Sequence, residues 1–275
     1  MKNFDLGRFG HVLRLDVQQN RRRYLKYLAI CYLACLIAEF ILFYKPSRYG
    51  ADLVAVLLHS AANSFILIQF WMMLAGASTL FENLKTKGGR QAELTLPATN
   101  AEKFLSRYLL STVGFFLFYL TGFVAADLTR MAVFPLLGHS LPSTVPAFFE
   151  TLFGRSDSLI TINGEAVSQA LWVQIHLLAT LGMILTHACY LVGSALLRKN
   201  VFVLTSLALF ALAVAAGWVT VELAGARFEL FTSVDDTWQL ACLNAVLFVL
   251  IVGCYWLTWR RFTRIQVVGR KWLRP

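Results

Sequence analysis

Residues 21–44 read RRRYLKYLAICYLACLIAEFILFY, three arginines followed by an almost uninterrupted apolar run. An α-helix needs about 20 predominantly apolar residues to cross the hydrocarbon core of a bilayer, and the run 24–44 has that length. Basic residues at the end of such a run meet anionic lipid headgroups. The stretch therefore predicts a membrane-spanning helix that begins at the membrane surface where the three arginines lie.

Five further runs of this kind follow along the chain. The apolar share of the sequence, 58%, and its mean hydropathy of +0.62 are too high for an ordinary soluble domain. We therefore predict an all-α, polytopic membrane protein with six transmembrane helices. The predicted spans are 24–44, 53–81, 104–126, 169–197, 201–223 and 238–259.

Positive charge lies almost entirely on one side of these spans. The segment through Lys26 carries seven Lys and Arg residues, the second connection with its flank five, the fourth two and the tail after Trp259 six. The odd-numbered connections share the remaining five of the 25. Positively charged segments are retained in the cytoplasm during insertion, so both termini are predicted to be cytoplasmic. Because the basic residues cluster at span ends, the net charge of +10 indicates contact with lipid headgroups and not nucleic-acid binding.

Composition divides the chain into a cytoplasmic leader (1–23), a six-span transmembrane domain (24–259) and a basic cytoplasmic tail (260–275). The longest outer connection, 138–168, contains Pro and Gly and an apolar, aromatic stretch suited to the outer interface. The longest cytoplasmic connection, 82–103, carries charges of both signs. We interpret it as a docking surface for a partner, and a plain solvated loop is the alternative.

The leader has the pattern of an amphipathic helix. Phe9, Val12, Leu13 and Val17 recur at helical spacing among polar residues, which favours a helix lying in the membrane interface. A solvated basic leader is the alternative. The leader is too long for the short basic region that opens a secretory signal. The five cysteines all fall inside predicted spans and are interpreted as packing residues.

The second connection contains signals for the ends of its helices. The Gly88–Gly89 pair predicts a break in the helix that continues from the second span. Pro97 prevents an early return to helix. Thr99 followed by Glu102 fits a capping box, so the third helix is predicted to begin near Asn100.

The stretch 96–107, LPATNAEKFLSR, resembles a pattern of small permease subunits of bacterial ATP-binding-cassette (ABC) exporters, the six-helix export class. The six spans, the cytoplasmic termini and the interfacial helix are also similar to that class. The resemblance implies a permease subunit of the bacterial plasma membrane that works by alternating access on an amphipathic or hydrophobic substrate. It also implies that an ATPase docks on a coupling helix formed by Phe81, Glu82, Asn83, Leu84, Lys85, Thr86 and Lys87.

The chain shows no ATPase motif of its own. The GxxxxGK[ST] phosphate loop is absent from the sequence, as are the GxSxG and HExxH motifs of hydrolytic enzymes. The resemblance therefore implies a chain that is not an enzyme and binds no cofactor itself, with ATP and Mg²⁺ on a separate cytosolic ABC ATPase. The other implied partners are membrane lipids and a second permease, either a copy or a related subunit.

Ionisable residues at membrane depth are costly and are therefore candidates for function. Glu39, Asp127 and Glu222 fall toward the outer ends of their spans, and Glu39 is the deepest of the three. Asp127 and Arg130 are i,i+3 neighbours on a helix and can pair. The alternative is that all three acids are interfacial anchors.

Two spans carry polar residues at helical spacing. His59 and Asn63 lie one turn apart on the second span, and His176, Thr180 and His187 share one face of the fourth. Together with Glu39 these five are candidate pathway residues. Hydrogen bonds between helices are an alternative role, and so is haem ligation by His59 opposite His176 in a membrane redox subunit. A non-transporting membrane scaffold is a further alternative.

Overall fold

The computed structural model describes residues 4–43, 51–138, 141–153, 161–162, 165–166, 169–225 and 237–264. Six helices in these ranges are long and apolar enough to cross a membrane, which confirms the predicted number of spans and indicates a multi-pass membrane protein. The described chain is helical apart from one antiparallel pair of two-residue strands, β1 (Thr161–Ile162) and β2 (Glu165–Ala166).

The third span consists of two α-helices joined by a π-helical turn at Leu110–Gly114. Short 3₁₀ turns lie at Glu82–Lys85 and Phe134–Leu137. The α-helices are α1 (Leu6–Phe43), α2 (Ala51–Ser78), α3 (Lys87–Thr95), α4 (Asn100–Leu109), α5 (Phe115–Val133), α6 (Val145–Phe153), α7 (Gln169–Leu196), α8 (Val201–Gly225) and α9 (Thr237–Thr263).

Helix α1 is one uninterrupted helix of 38 residues. The leader helix and the first span of the sequence analysis thus lie on one continuous helix. The residues around the expected junction, 18–26, include neither Gly nor Pro, so nothing in the backbone breaks the helix there. At about 1.5 Å per residue α1 measures roughly 57 Å. It is therefore much longer than the hydrocarbon core, about 30 Å, and its first turns extend beyond it.

The second connection differs from the prediction at its start and agrees with it at its end. Helix α2 stops at Ser78, and α3 runs through the Gly88–Gly89 pair, contrary to the predicted break. The hydroxyl of Thr86 explains the difference, because its Oγ1 accepts a hydrogen bond of 3.0 Å from the Gly89 N–H and caps the new helix. Pro97 lies in a non-helical stretch, and the next helix begins at Asn100, as predicted.

The π-helical turn of the third span lies close to Gly76 of α2. Its Thr112 and Ser111 hydroxyls both donate to the Tyr108 carbonyl oxygen, over 2.7 and 3.1 Å. Opposite the turn lies Gly76, where an added Cβ would overlap the Ser111 carbonyl oxygen and the Phe115 ring. A glycine is therefore required for this close approach.

The described chain forms two compact units, and the first comprises Met1–Gly76 and Ala101–Ser156. Within it α1 packs along α5. Gly122 permits the contact, because a Cβ there would lie 2.9 Å from the Tyr32 nitrogen and 3.0 Å from the Cys31 Cβ. Small residues at helix contacts in membranes have this role, since they let backbones approach closely.

The core of the first unit is aromatic. Phe65, Phe123 and Phe148 are fully buried, and the Phe123 ring lies 4.8 Å from that of Phe65 and 4.9 Å from that of Phe148 between centroids. The buried Tyr119 donates its hydroxyl to the Phe65 carbonyl oxygen over 2.7 Å. Helix α6, which supplies Phe148, is therefore part of this core.

The second unit comprises Ala77–Asn100 and Asp157–Pro275. Helix α7 packs along α9 and against the first turns of α8, where a Cβ on Gly193 would overlap the Thr205 side chain. The hydroxyls of Tyr190 and Ser206 join α7 and α8 over 2.5 Å. Further along α8, every residue from 211 to 218 is exposed in the single chain. In a bilayer this apolar surface is covered by lipid or by another protein.

Candidate functional site

A fully buried group of charges lies in the first unit, at the ends of α1 and α5 that are joined by the segment before α6. Arg130 is central: its Nε lies 2.9 Å from Glu39 Oε2, and its Nη2 donates to Asp127 Oδ1 over 2.7 Å. The three side chains are at most 1% exposed. We call Glu39, Asp127, Arg130, Ser143 and Thr144 the charge cluster.

The segment before α6 supplies the rest of the charge cluster's contacts. The Pro142 carbonyl accepts from Arg130 Nη2 over 2.8 Å, and the Ser143 hydroxyl donates to Asp127 Oδ2 over 2.5 Å. The Thr144 Oγ1 lies 2.8 Å from Glu39 Oε1 and 2.9 Å from Asp127 Oδ1. Polar contacts thus fix the start of α6 to both α1 and α5.

Local sequence explains how these residues meet. Asp127 and Arg130 lie one turn apart on α5, so the structure contains the i,i+3 pair expected from the sequence. The Arg130 guanidinium lies over the rings of Phe43 and Phe134, 4.7 and 5.9 Å from their centroids, where cation–π attraction is favourable. These rings also exclude water, which strengthens the electrostatic contacts inside.

The charge cluster holds two carboxyl groups and one guanidinium. Glu39, the deepest candidate of the sequence, is fully buried here. The arrangement can bind a proton or fix α6, and the Thr144 hydroxyl is positioned to relay a proton between the two carboxyl groups. The side chain of Glu222, the third acid of the sequence analysis, lies outside the described residues.

The other candidate pathway residues differ in exposure. His59 and Asn63 on α2 are exposed in the single chain. On α7, His176 and Thr180 are exposed, and His187 is buried at 8%. The Thr180 hydroxyl donates to the carbonyl of His176 on its own helix over 2.8 Å. The predicted polar face of α7 is therefore exposed at one end and buried at the other.

Sequence reasoning missed a polar contact between α7 and α9. The buried Asn244 donates from Nδ2 to Gln174 Oε1 over 2.7 Å. Hydrogen bonds between side-chain amides on neighbouring helices stabilise helix packing in membranes. The available signal was an amide side chain within an apolar span on each helix.

The part of the stretch 96–107 that lies in the first unit, 101–107, has a structural role. Glu102 Oε1 accepts from the Asp5 N–H over 2.7 Å and from Arg8 Nη2 over 3.0 Å, and the Ser106 hydroxyl donates to Asp16 Oδ2 over 2.9 Å. Glu102 and Ser106 are fully buried. Polar residues of this stretch therefore fix the leader part of α1 to the start of α4.

The predicted coupling segment forms part of a helical corner in the second unit, made of the 3₁₀ turn Glu82–Lys85 and α3. Phe81 and Leu84 are buried, and the Phe81 ring meets the Phe262 ring of α9 edge-on at 6.0 Å. Arg90 Nη1 donates to the Leu84 and Lys85 carbonyl oxygens over 3.2 and 3.3 Å. The corner is thus tied together and anchored on α9.

The charged and polar side chains of the coupling segment lie on the other side of the corner. Thr86 and Lys87 are exposed, and Glu82, Asn83 and Lys85 are partly exposed. A Cβ on Gly89 would overlap the Asn83 carbonyl, so the corner closes only with glycine at this position. Any partner that docks here meets Glu82, Lys85, Thr86 and Lys87, since Phe81 and Leu84 face inward.

No protein-family model matches the chain, and neither does any curated protein sequence or solved structure.

Proposed function

We propose that this chain is the membrane-embedded permease subunit of an ATP-driven exporter in a bacterial plasma membrane. The observation that carries the proposal is the helical corner of the second connection. Its apolar residues Phe81 and Leu84 are anchored inside the second unit, and its charged residues Glu82, Lys85 and Lys87 face outward. A rigid element between two spans is able to pass a displacement on to them.

The distribution of charge supports the same function. By the predicted topology, twenty of the 25 Lys and Arg residues lie on the side of the corner, which favours a cytoplasmic corner, where an ATPase is found. The resemblance of the stretch 96–107 to export-class permeases supplies the kind of partner. Two copies of the chain, or this chain and a related one, form the pathway for an amphipathic or hydrophobic substrate.

The structure of the corner suggests how force travels. When the ATPases close on ATP, they press on the exposed side of the turn Glu82–Lys85. Arg90 ties this turn to α3, and Phe81 rests on Phe262, so the corner moves as one body with the end of α9. Spans that connect to the corner then shift between inward-open and outward-open arrangements, which is alternating access.

Charge reversal at the corner tests the proposal. The double variant Glu82→Lys, Lys85→Glu turns attraction at a docking surface into repulsion, at a cost of about 1 kcal/mol or more per desolvated pair. Affinity purification from native cells should recover much less ATPase with this variant than with the wild-type chain. The matched control, Arg198→Glu with Lys199→Glu, changes exposed charges of the fourth connection and should retain the ATPase.

Three outcomes contradict the proposal. Wild-type yield of ATPase and normal ATP turnover with the corner variant mean that docking takes place elsewhere. Failure to recover any ATPase with the wild-type chain favours a membrane scaffold. A haem absorption band in the purified protein favours the redox subunit instead.

A further inference from the structure

The hydroxyl of Thr144 makes more contacts than its protons allow. Its Oγ1 lies 2.8 Å from Glu39 Oε1 and 2.9 Å from Asp127 Oδ1, and both are hydrogen-bond distances. A hydroxyl carries one proton, and an ionised carboxylate is only an acceptor. If both carboxyl groups were ionised, one of these two contacts would join oxygen atoms with no proton between them. One of the two carboxyl groups must therefore supply a proton.

Asp127 has the contacts of an ionised carboxylate. Its Oδ1 accepts from Arg130 Nη2 over 2.7 Å and from the Thr144 N–H over 3.3 Å, and its Oδ2 accepts from the Ser143 hydroxyl over 2.5 Å. Short hydrogen bonds from hydroxyls are typical of charged acceptors. A proton on Asp127 would compete with these donors.

The contacts of Glu39 are compatible with a protonated carboxyl group. Its Oε2 is near Arg130 Nε at 2.9 Å, but the pair lacks hydrogen-bond alignment, and both atoms are without a hydrogen-bond partner among the described residues. Its remaining contact is the one from Oε1 to Thr144. A proton on Oε1 is therefore donated to Thr144 Oγ1, whose own proton is donated to Asp127 Oδ1.

Charge balance leads to the same assignment. Within the described part of the chain, Arg130 is the cation that pairs with either carboxyl group. Among the described residues, the other hydrogen-bond partners of the two acids are Ser143 and Thr144, which are uncharged. Two ionised acids and one guanidinium would leave a net charge away from water, which is costly. One proton makes the charge cluster neutral.

We propose that Glu39 is a proton-binding site that holds its proton at neutral pH, within an ordered chain from Glu39 through Thr144 to Asp127. With this proton, the charge cluster fixes α6 without a net charge. The inference does not depend on the proposed transport function.

Infrared spectroscopy of the purified full-length protein at neutral pH tests this assignment directly. A protonated carboxyl group has a carbonyl stretch well separated from the bands of ionised carboxylates, and it shifts in D₂O. This band should be present in the wild-type protein and lost in Glu39→Gln. The matched control Glu150→Gln, at an exposed position of α6, should leave it unchanged. A wild-type spectrum without the band, or a band that Glu39→Gln does not alter, overturns the proposal.

Thermal stability gives an independent test. In Glu39→Gln the amide Nε2–H replaces the carboxyl O–H toward Thr144 without a change of charge. The melting temperature of this variant should therefore equal that of the Glu150→Gln control. Asp127→Asn is the same chemical change at the ionised acid. It points an amide N–H at the groups that donate to Asp127, so it should lower the melting temperature clearly. If Glu39→Gln is as destabilising as Asp127→Asn, or fails to fold, Glu39 is ionised and the proposal is wrong.

Discussion

Replacing Arg130 by Met should destabilise the protein strongly, because it leaves the ionised Asp127 buried without its cation. The side chain of Arg130 is 0% exposed and joins Glu39, Asp127 and the Pro142 carbonyl. Breaking a buried ion pair by removing one partner costs about 3–5 kcal/mol. With about 2–4 °C per kcal/mol for chains of 150–250 residues, the melting temperature should fall by roughly 6 to 20 °C.

The assay is thermal unfolding of the purified protein in one detergent, with Arg14→Met as the matched control at an exposed position of α1. Adding Asp127→Asn to Arg130→Met removes the unpaired charge and should recover part of the loss. Adding Glu39→Gln should recover little, because that acid already carries a proton under the proposal above. A melting temperature for Arg130→Met within the scatter of the Arg14 control would refute the reasoning.

Three further predictions concern other parts of the chain. Gly89→Val should make the corner more susceptible to limited proteolysis, because a Cβ there overlaps the neighbouring turn. Gly88→Val should not, because a Cβ there meets nothing within 4 Å. Equal cleavage of the two variants contradicts this prediction. In intact cells, a cysteine in place of Thr86 should not react with an impermeant thiol reagent, whereas a cysteine in place of Ser156, which lies outside the described residues, should react. The reverse labelling pattern refutes cytoplasmic termini. If Thr180 lines a pathway, a cysteine there in a background without native cysteines should change its reactivity when the ATPase is trapped, and no reactivity in either state indicates a structural role.

The spans could be predicted from the sequence because the free-energy cost of placing polar groups in lipid depends only on the residues of each segment. A segment must therefore be apolar and long enough by itself to cross the bilayer. The start of α4 at Asn100 was predictable for a similar reason, since Pro97 and the capping-box pattern of Thr99 and Glu102 are local sequence signals. The corner was not, because the helix through the Gly88–Gly89 pair depends on Thr86 and on the fit of Gly89 against Asn83. Low helix propensity is a weak signal when a cap and a tertiary contact oppose it.

One pair of the five-residue charge cluster could be predicted from the sequence. Asp127 and Arg130 are one turn apart, so their pairing follows from helix geometry. Glu39 and Thr144 are 105 residues apart, and their contact depends on how α1 and the segment before α6 fold over α5. Nothing in the local sequence of either residue indicates the other, so the sequence identified Glu39 as a candidate without its partners.

The burial of Arg130 also changes how the charge asymmetry should be counted. Arg130 was one of the five basic residues assigned to the outer connections. In the structure it is fully buried, paired with two acids and covered by aromatic rings, so it is part of the protein interior and not of a loop. The orientation rule counts positive charges in loops and near span ends, where they face the lipid headgroups. Without Arg130 the outer side retains four such residues, and without the buried Lys103 the other side retains nineteen, so the prediction of cytoplasmic termini becomes slightly stronger.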